Sequence, residues 1–350
     1  MTSVTHVITT IELGGAEKQL LILAKQQIQM GLSVSIIYLK GNPDLADQFQ
    51  KMGVHELISL DELSFTRQLF RLNKLLRQEE NVHAHLPRAE LLVALSANSN
   101  SRIVVSRHNA EQFFPGAPKF VSRILSNFVV SRSSNVIAIS MAVLDFLIKT
   151  KEVKSNEKLR VIYYGSSTDS QSLIEFNGLT KTLGTVARLT EQKDYGTLLR
   201  AFSLFLIDNP GYTLQIIGVG HLEATLKNLA IQLGISNQVQ WLGKVPEPNQ
   251  YIATWDLFVL TSLYEGFGLV LLESMALGVP IVASSNSAIN EVLGNDYIGL
   301  ARTSDPEDFA RKMHGLIDDD KRLQAQQQMK YSFMRFQPGL MAKNICELYA

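Results

Sequence analysis

The sequence predicts an α/β protein made of two doubly wound, parallel-sheet domains, and three observations carry that expectation. The chain has 350 residues, against about 150 for a typical single domain. Of these, 46% are hydrophobic and 19% charged, enough to fill sizeable cores and too apolar for a disordered chain. Short β-branched runs alternate with helical patterns from one end to the other, the rhythm of parallel strands joined by crossover helices.

In the first series Val4–Thr9 reads as a strand, Ala16–Met30 as a helix, Ser33–Leu39 as a strand and Phe65–Gln78 as a helix. Asn81–His85, Arg102–Ser106 and Val136–Ser140 follow as strands. The polar stretch Gly165–Ser170 reads as a connection, which divides the chain into 1–165 and 166–332. Beyond it Leu183–Ala187, Thr213–Ile217, Gln238–Trp241, Leu257–Thr261 and Ile281–Ala283 are the expected strands. Tyr195–Ile207, Leu222–Leu233, Leu269–Leu277 and Pro306–Ile317 are the expected helices.

The 33 basic and 33 acidic residues cancel, so net charge gives no reason to expect nucleic acid as a partner. The two halves differ: 1–165 carries 19 basic and 14 acidic residues, and 166–350 carries 14 and 19. Cys346 is the single cysteine, which excludes an intrachain disulfide and a cysteine-rich metal site. The first residues lack the basic and apolar segments of a secretory signal, and no uncharged apolar run approaches the about 18 residues of a membrane span. A cytoplasmic protein is expected.

In doubly wound sheets ligands bind beyond the carboxyl ends of strands, so the loops after strands hold the candidate residues. Gly14 and Gly15 sit where the first helix begins, and paired glycines let backbone approach an anion; a tight turn would explain them equally well. Arg188 ends a strand and Lys193 follows five residues later at a helix entrance. Two such cations would straddle a diphosphate or would simply be solvated charges. Gly218 and Gly220 make a second close-approach turn. In the stretch from Tyr264 to Ala276, Gly266 and Gly268 form a turn and Glu273 lies about one turn into the next helix, where a carboxylate could accept both hydroxyl protons of a ribose. N–H groups at Phe267–Val270 would face phosphate oxygens, with Glu265 farther out. No Gly-x-Gly-x-x-Gly and no Gly-x-x-x-x-Gly-Lys-Ser/Thr occurs, which counts against dehydrogenases and P-loop NTPases.

Glu265-x7-Glu273, the Gly14-Gly15-Ala16-Glu17 loop, the Arg188/Lys193 pair, Gly218-x-Gly220 and the Gly278-Val279-Pro280-Ile281-Val282-Ala283 strand entry occur in an order that resembles the retaining glycosyltransferases of family 4. The resemblance covers nearly the whole chain. It implies the GT-B architecture of two Rossmann-like domains facing across a cleft, the first for an acceptor and the second for a nucleotide diphosphate sugar, with a C-terminal helix at about 333–350 returning to the first domain. It further implies that Glu273 holds ribose, Glu265 contacts sugar hydroxyls, Arg188 and Lys193 clamp the diphosphate, and Gly266, Phe267, Gly268 and Leu269 supply the turn and its backbone donors. Gly14 and Gly15 would close over the phosphates, Gly218 would line the site, Val245 would read the base through its backbone, and His108 would stand beside the transferred sugar. The residue before Arg188 is Ala187, where the family commonly has glycine, and 286–291 lacks a frequent glycine pair, so the loop near the sugar or base differs in shape.

The implied activity is metal-independent, retaining transfer of a hexose or N-acetylhexosamine, with no cofactor, in synthesis of a bacterial cell-surface polysaccharide such as O-antigen or capsule. Family frequency favours a UDP-sugar first and a guanosine diphosphate sugar second. The acceptor would be a saccharide, lipid-linked. The basic first domain, with its amphipathic segment Phe65–Arg77, would touch an anionic membrane surface; the competing reading packs that segment inside its own domain. A sugar-nucleotide 2-epimerase and a non-catalytic nucleotide-sugar-binding protein are the alternatives. His83 and His85, two apart on a strand, suggest metal ligands only weakly, and Asp318-Asp319-Asp320 reads as a solvated charge run at a helix end.

Overall fold

The computed structural model describes residues 2–153, 156–166 and 180–349. The chain forms two compact units, one of Met1–Ser167 with Phe336–Ala350 and the other of Thr168–Arg335. Of the polar connection, Gly165 and Ser166 are described and 167–170 lie outside the described residues. Gly165 packs where a Cβ would stand 2.6 Å from the Pro338 backbone, and the Ser166 N–H donates to the Phe336 carbonyl at 3.0 Å.

The first unit holds a sheet of seven strands: β1 (Ser3–Ile8), β2 (Ser33–Tyr38), β3 (Glu56–Ser59), β4 (Asn81–His85), β5 (Arg102–Arg107), β6 (Asn135–Ala138) and β7 (Leu159–Val161), in the order β3-β2-β1-β4-β5-β6-β7. All pairings are parallel. Such strands are buried on both faces, so they read as apolar runs rather than alternations. Val7, Val82, Ala84, Ile103 and Val105 point into a core closed by Leu72, Leu76, Leu92, Val93 and Val129 from the helices on that side. On the opposite face lie His6, His83, His85 and Ser106, all buried, beneath helix Gly15–Gln29 and the C-terminal helix Pro338–Cys346, which ends in a 3-10 turn at Tyr349.

The segment Phe65–Gln78 is helical over Phe65–Leu75 and tightens to a 3-10 turn over Leu76–Gln78. Its apolar stripe faces inward: Leu72 and Leu76 are in the core with Leu69 and Leu75 packed against it. The stripe from Leu69 to Leu76 is therefore covered by its own domain, while Phe65 at its start stays 38% exposed. Phe70, off the stripe, is 77% exposed. The outward apolar row belongs instead to helix Lys119–Arg132, where Phe120, Ile124 and Phe128 recur every four residues and are exposed beside exposed Lys119 and Arg123.

The second unit holds β8 (Thr182–Val186), β9 (Thr213–Ile217), β10 (Val239–Gly243), β11 (Leu257–Leu260), β12 (Ile281–Ser284) and β13 (Leu300–Ala301), ordered β10-β9-β8-β11-β12-β13 and again parallel. Gly184 in β8 lies against the Trp255 indole so closely that a Cβ would sit 2.1 Å from the ring. Asp256 begins the sheet by accepting the Thr180 and Thr182 N–H groups at 2.8 and 3.2 Å. The acidic run Asp318–Asp320 starts a helix instead of ending one: Asp318 accepts the Lys321 N–H at 3.3 Å and caps Asp319–Phe333. Its carboxylate satisfies a first-turn N–H that would otherwise lack a partner.

Candidate functional site

Strand order reverses between β8 and β11 in the second unit and between β1 and β4 in the first. At such a switch point adjacent crossovers leave on opposite faces and open a crevice at the carboxyl ends. The loops after β8 and β11 are those that carry Arg188, Lys193 and Glu265 to Leu269.

These two loops are tied together. Lys193 Nζ donates to Glu265 Oε1 at 2.6 Å, with 13% and 8% of the two side chains exposed. Ser262 Oγ donates to the same carboxylate oxygen at 2.7 Å. Thr261 Oγ1 donates to the Lys193 carbonyl at 2.9 Å, and Gln192 Nε2 to the Tyr264 carbonyl at 2.9 Å. An ammonium has three donors, so pairing with Glu265 leaves Lys193 able to meet an anion as well. Arg188 is exposed and has no salt-bridge partner among the described residues.

Gly268 has φ +83°, a left-handed conformation that suits glycine. Helix Leu269–Ala276 then begins without a side-chain cap, and half-buried Glu273 lies one turn in. Phe267 is buried and Gly266 partly so. After β9, Gly218 has φ +142° and passes the Ala187 carbonyl where a Cβ would be 1.9 Å from the oxygen. Its N–H donates to the Gly243 carbonyl at 2.8 Å. Gly220 passes the Leu189 carbonyl with equally little room. The loops after β8, β9 and β10 are thereby locked to one another, with half-buried Val245 following β10. In the segment without the glycine pair, Asn286 begins helix Ser287–Leu293, and its amide donates to the Ser262 carbonyl at 2.9 Å and to Thr303 Oγ1 at 3.0 Å.

In the first unit Gly14 is the extended residue preceding helix Gly15–Gln29. A Cβ there would collide with the Glu17 carboxyl. Glu17 is buried and accepts from Thr10 Oγ1 at 2.5 Å, and burial raises its pKa. His108 follows β5. Its Nε2 meets His85 Nδ1 at 3.2 Å, and its Nδ1 meets the Tyr164 hydroxyl. Burial lowers its pKa to about 3. Before it, Arg107 lies between two buried carboxylates, with Nε 2.8 Å from Glu90 and Nη1 3.5 Å from Glu152. The guanidinium carbon stands 4.4 Å from the Phe113 ring centroid.

Sequence reasoning singled out His83 and His85 but missed His6, Gln27, Tyr164 and Tyr349, which join them, and it missed Ser262 and Gln192 in the second unit. The signal for His6 was a histidine interrupting the apolar run Val4–Ile8. For Tyr349, 266 residues from His83, no local pattern exists.

Residues 13–170 match the model of Glycosyltransferase Family 4, and 168–332 match that of the Glycosyl transferases group 1. An uncharacterized glycosyltransferase of Haemophilus influenzae is 24% identical over 280 residues, covering 77% of this chain and 76% of the other. The N-acetylgalactosamine-N,N'-diacetylbacillosaminyl-diphospho-undecaprenol 4-alpha-N-acetylgalactosaminyltransferase of Campylobacter jejuni is 26% identical over 250 residues, covering 69% and 67%. Among solved structures, Anabaena HepE in complex with UDP and glucose superposes with a TM-score of 0.81 over 99% of each chain at 19% identity, a likeness of fold. Two Rossmann-like parallel sheets with their candidate residues in the loops at both switch points, matched along 13–332 by these two models, place the chain in glycosyltransferase family 4, with the GT-B fold.

Proposed function

We propose that this chain is a retaining, metal-independent hexosyl- or N-acetylhexosaminyltransferase that uses a nucleoside diphosphate sugar, UDP-linked, and a lipid-linked saccharide acceptor. The observation that carries the reading is the Lys193–Glu265 pair, which ties together the two loops flanking the second unit's switch point, one of which also carries exposed Arg188. The cations neutralise the charge that gathers on the departing diphosphate, the task a divalent ion would otherwise perform. Glu273 takes the ribose hydroxyls, Phe267, Gly268 and Leu269 present backbone donors to phosphate, and Glu265 orients the sugar. In the transfer, the bond from the anomeric carbon to the diphosphate oxygen breaks, the acceptor hydroxyl bonds to that carbon on the same face, and its proton leaves with the phosphate. His108, whose two ring nitrogens are both engaged within the first unit and whose pKa burial lowers, serves as a fixed wall of the site and not as the base. Relatives and fold neighbours support a nucleotide sugar and a lipid-linked acceptor through the UDP bound to HepE and the undecaprenol-linked substrate in the name of the Campylobacter enzyme.

Incubation with labelled UDP-sugars and a membrane extract tests this. The expected product is an α-linked glycolipid formed equally well with chelator present. An inverted linkage, an absolute need for added magnesium or manganese, or C2 epimerisation without transfer would each refute the corresponding part. Glu273→Ala should weaken UDP binding by about 1.5–3 kcal/mol, the value of a hydrogen bond to a charged group, read as a Kd rise of roughly ten- to a hundredfold. Unchanged UDP affinity would remove Glu273 from the site.

No helix among the described residues is long and apolar enough to cross a membrane. Contact with anionic lipid, as we read it, falls to the row Phe120, Ile124 and Phe128 with Lys119 and Arg123. Sedimentation with anionic vesicles at low salt should be lost when Phe120 and Ile124 are both replaced by Ser, whereas replacing Arg67, Arg71, Lys74 and Arg77 by Gln should weaken it less. The reverse ranking would return the contact to 65–77.

A further inference from the structure

Buried side chains and half-buried His108 form one continuous line of hydrogen bonds in the first unit. The β1/β4 register pairs His6 with His83, and the β4/β5 register pairs His85 with Ser106, so all four lie on one sheet face. From Tyr164 the line runs to His108 Nδ1, then from His108 Nε2 to His85 Nδ1 at 3.2 Å, from His85 Nε2 to His6 Nδ1 at 3.0 Å, and from His6 Nε2 to Gln27 Oε1 at 2.8 Å. Gln27 Nε2 continues to the Tyr349 hydroxyl at 3.3 Å, which meets His83 Nδ1 at 2.7 Å.

A neutral imidazole has one donor and one acceptor. Burial keeps all these rings neutral, lowering the pKa of His6 to about 4, of His108 to about 3, and of His83 and His85 well below the ordinary value. Each ring must then donate at one nitrogen and accept at the other, so every bond along the line points the same way. Both ends agree on the direction. Tyr164 retains its phenolic proton, its pKa raised well above 10 by burial, and a phenol is a better donor than acceptor towards imidazole nitrogen. At the other end the Gln27 carbonyl faces His6 while its amide faces Tyr349.

We propose that His85, His6 and Gln27 are positioning residues that lock His108 as its Nε2–H tautomer and hold its ring in one orientation. The value of the lock to catalysis rests on the reading that places His108 beside the sugar; the lock itself does not. Rotating the His108 ring would break a hydrogen bond at each nitrogen, and reversing its tautomer would require reversing every bond as far as Gln27. A metal ion is the rival occupant, because ligand atoms of His6, His83 and His85 lie within 4.8 Å of one another. An ion held by all three rings would have to displace hydrogen bonds that they make now, such as the one between His6 and His85.

The test is nitrogen NMR of the full chain labelled at the histidine rings, at pH 7, read alongside turnover. His6, His85 and His108 should all be protonated at Nε2 and not at Nδ1, and one equivalent of zinc should leave their signals in place. In His85→Leu the His108 signals should shift to a mixture of tautomers. His85→Asn, whose carbonyl replaces the Nδ1 acceptor, should keep Nε2–H. Gln27→Leu reads the same lock if His85→Leu does not fold. Turnover should fall on the order of tenfold in His85→Leu, with donor KM within about twofold, and largely recover in His85→Asn. An Nδ1–H His108 in the wild type, a His108 tautomer indifferent to His85→Leu and Gln27→Leu, or zinc-shifted signals from His6, His83 and His85 would overturn the lock. Equal loss of turnover in the Leu and Asn variants would overturn its role in positioning. Correct tautomers in a protein that transfers no sugar would instead refute the proposed function and leave the lock standing.

Discussion

Arg107→Ala should destabilise the first unit by about 3–5 kcal/mol, the cost of stripping one partner from a buried ion pair, seen as a drop of roughly 10 °C in Tm. The guanidinium lies between Glu90 and Glu152, both carboxyls nearly without solvent, and Nη2 also donates to Ser126 Oγ at 3.0 Å. The loss should depend on pH. Burial raises the Glu90 pKa from 4.5 to about 7, Arg107 pulls it back, and Glu152 pushes it up further. The folded state therefore holds the Glu90 proton more tightly than the unfolded chain, and the contribution of Glu90 to wild-type stability falls as pH rises from about 4.5 to about 7. Without Arg107 the fall extends to higher pH. The deficit against wild type should be greatest above pH 7 and should shrink towards pH 5, where Glu90 is protonated in both proteins. Thermal melts at pH 5, 7 and 8.5 check this; a pH-independent deficit would mean that Arg107 acts by packing on Phe113 alone.

Lys193→Ala should lower turnover by about 10²–10³-fold, the usual effect of removing one donor aimed at charge that develops in the transition state. It should also lower stability, because Glu265 is left buried without its cation. The two effects separate in a double variant. Adding Glu265→Gln removes the charge that Lys193 had balanced, so melting temperature should recover in large part, while turnover should stay well below that of Glu265→Gln alone. If turnover returns with stability, Lys193 is a loop fastener. If neither variant changes either quantity, the pair has no part in the site.

Much of the architecture was legible because strands buried on both faces must be written as apolar runs. Asn81–His85 and Thr213–Ile217 agree with the structure to the residue, and Tyr195–Ile207 and Leu269–Leu277 to within one. Helices Lys119–Arg132 and Met141–Lys149 and strand Leu159–Val161 escaped notice. The first follows a stretch with prolines at 115 and 118 that reads as loop, and the strand has only three residues, too few to show a period. Phe65–Arg77 showed its stripe plainly, yet a stripe says only that one face is covered. Whether lipid or the domain's own sheet covers it depends on where neighbouring helices lie.

The sequence alone determined the class of fold, the loops that could hold chemistry and the family, because these depend on short-range patterns: periodicity, glycines at turns and charges at fixed offsets after strands. Only tertiary structure decided the partners of those residues. Lys193 and Glu265 are 72 positions apart and meet because β8 and β11 are neighbours in the sheet. His6, His85 and His108 share a line because three strands from separate crossovers lie in parallel register, and Gln27 and Tyr349 reach that line from helices laid over the same face. Hydrogen bonds act over about 3 Å in space, whatever the separation along the chain, so a one-dimensional pattern can nominate such residues but cannot say which of them touch.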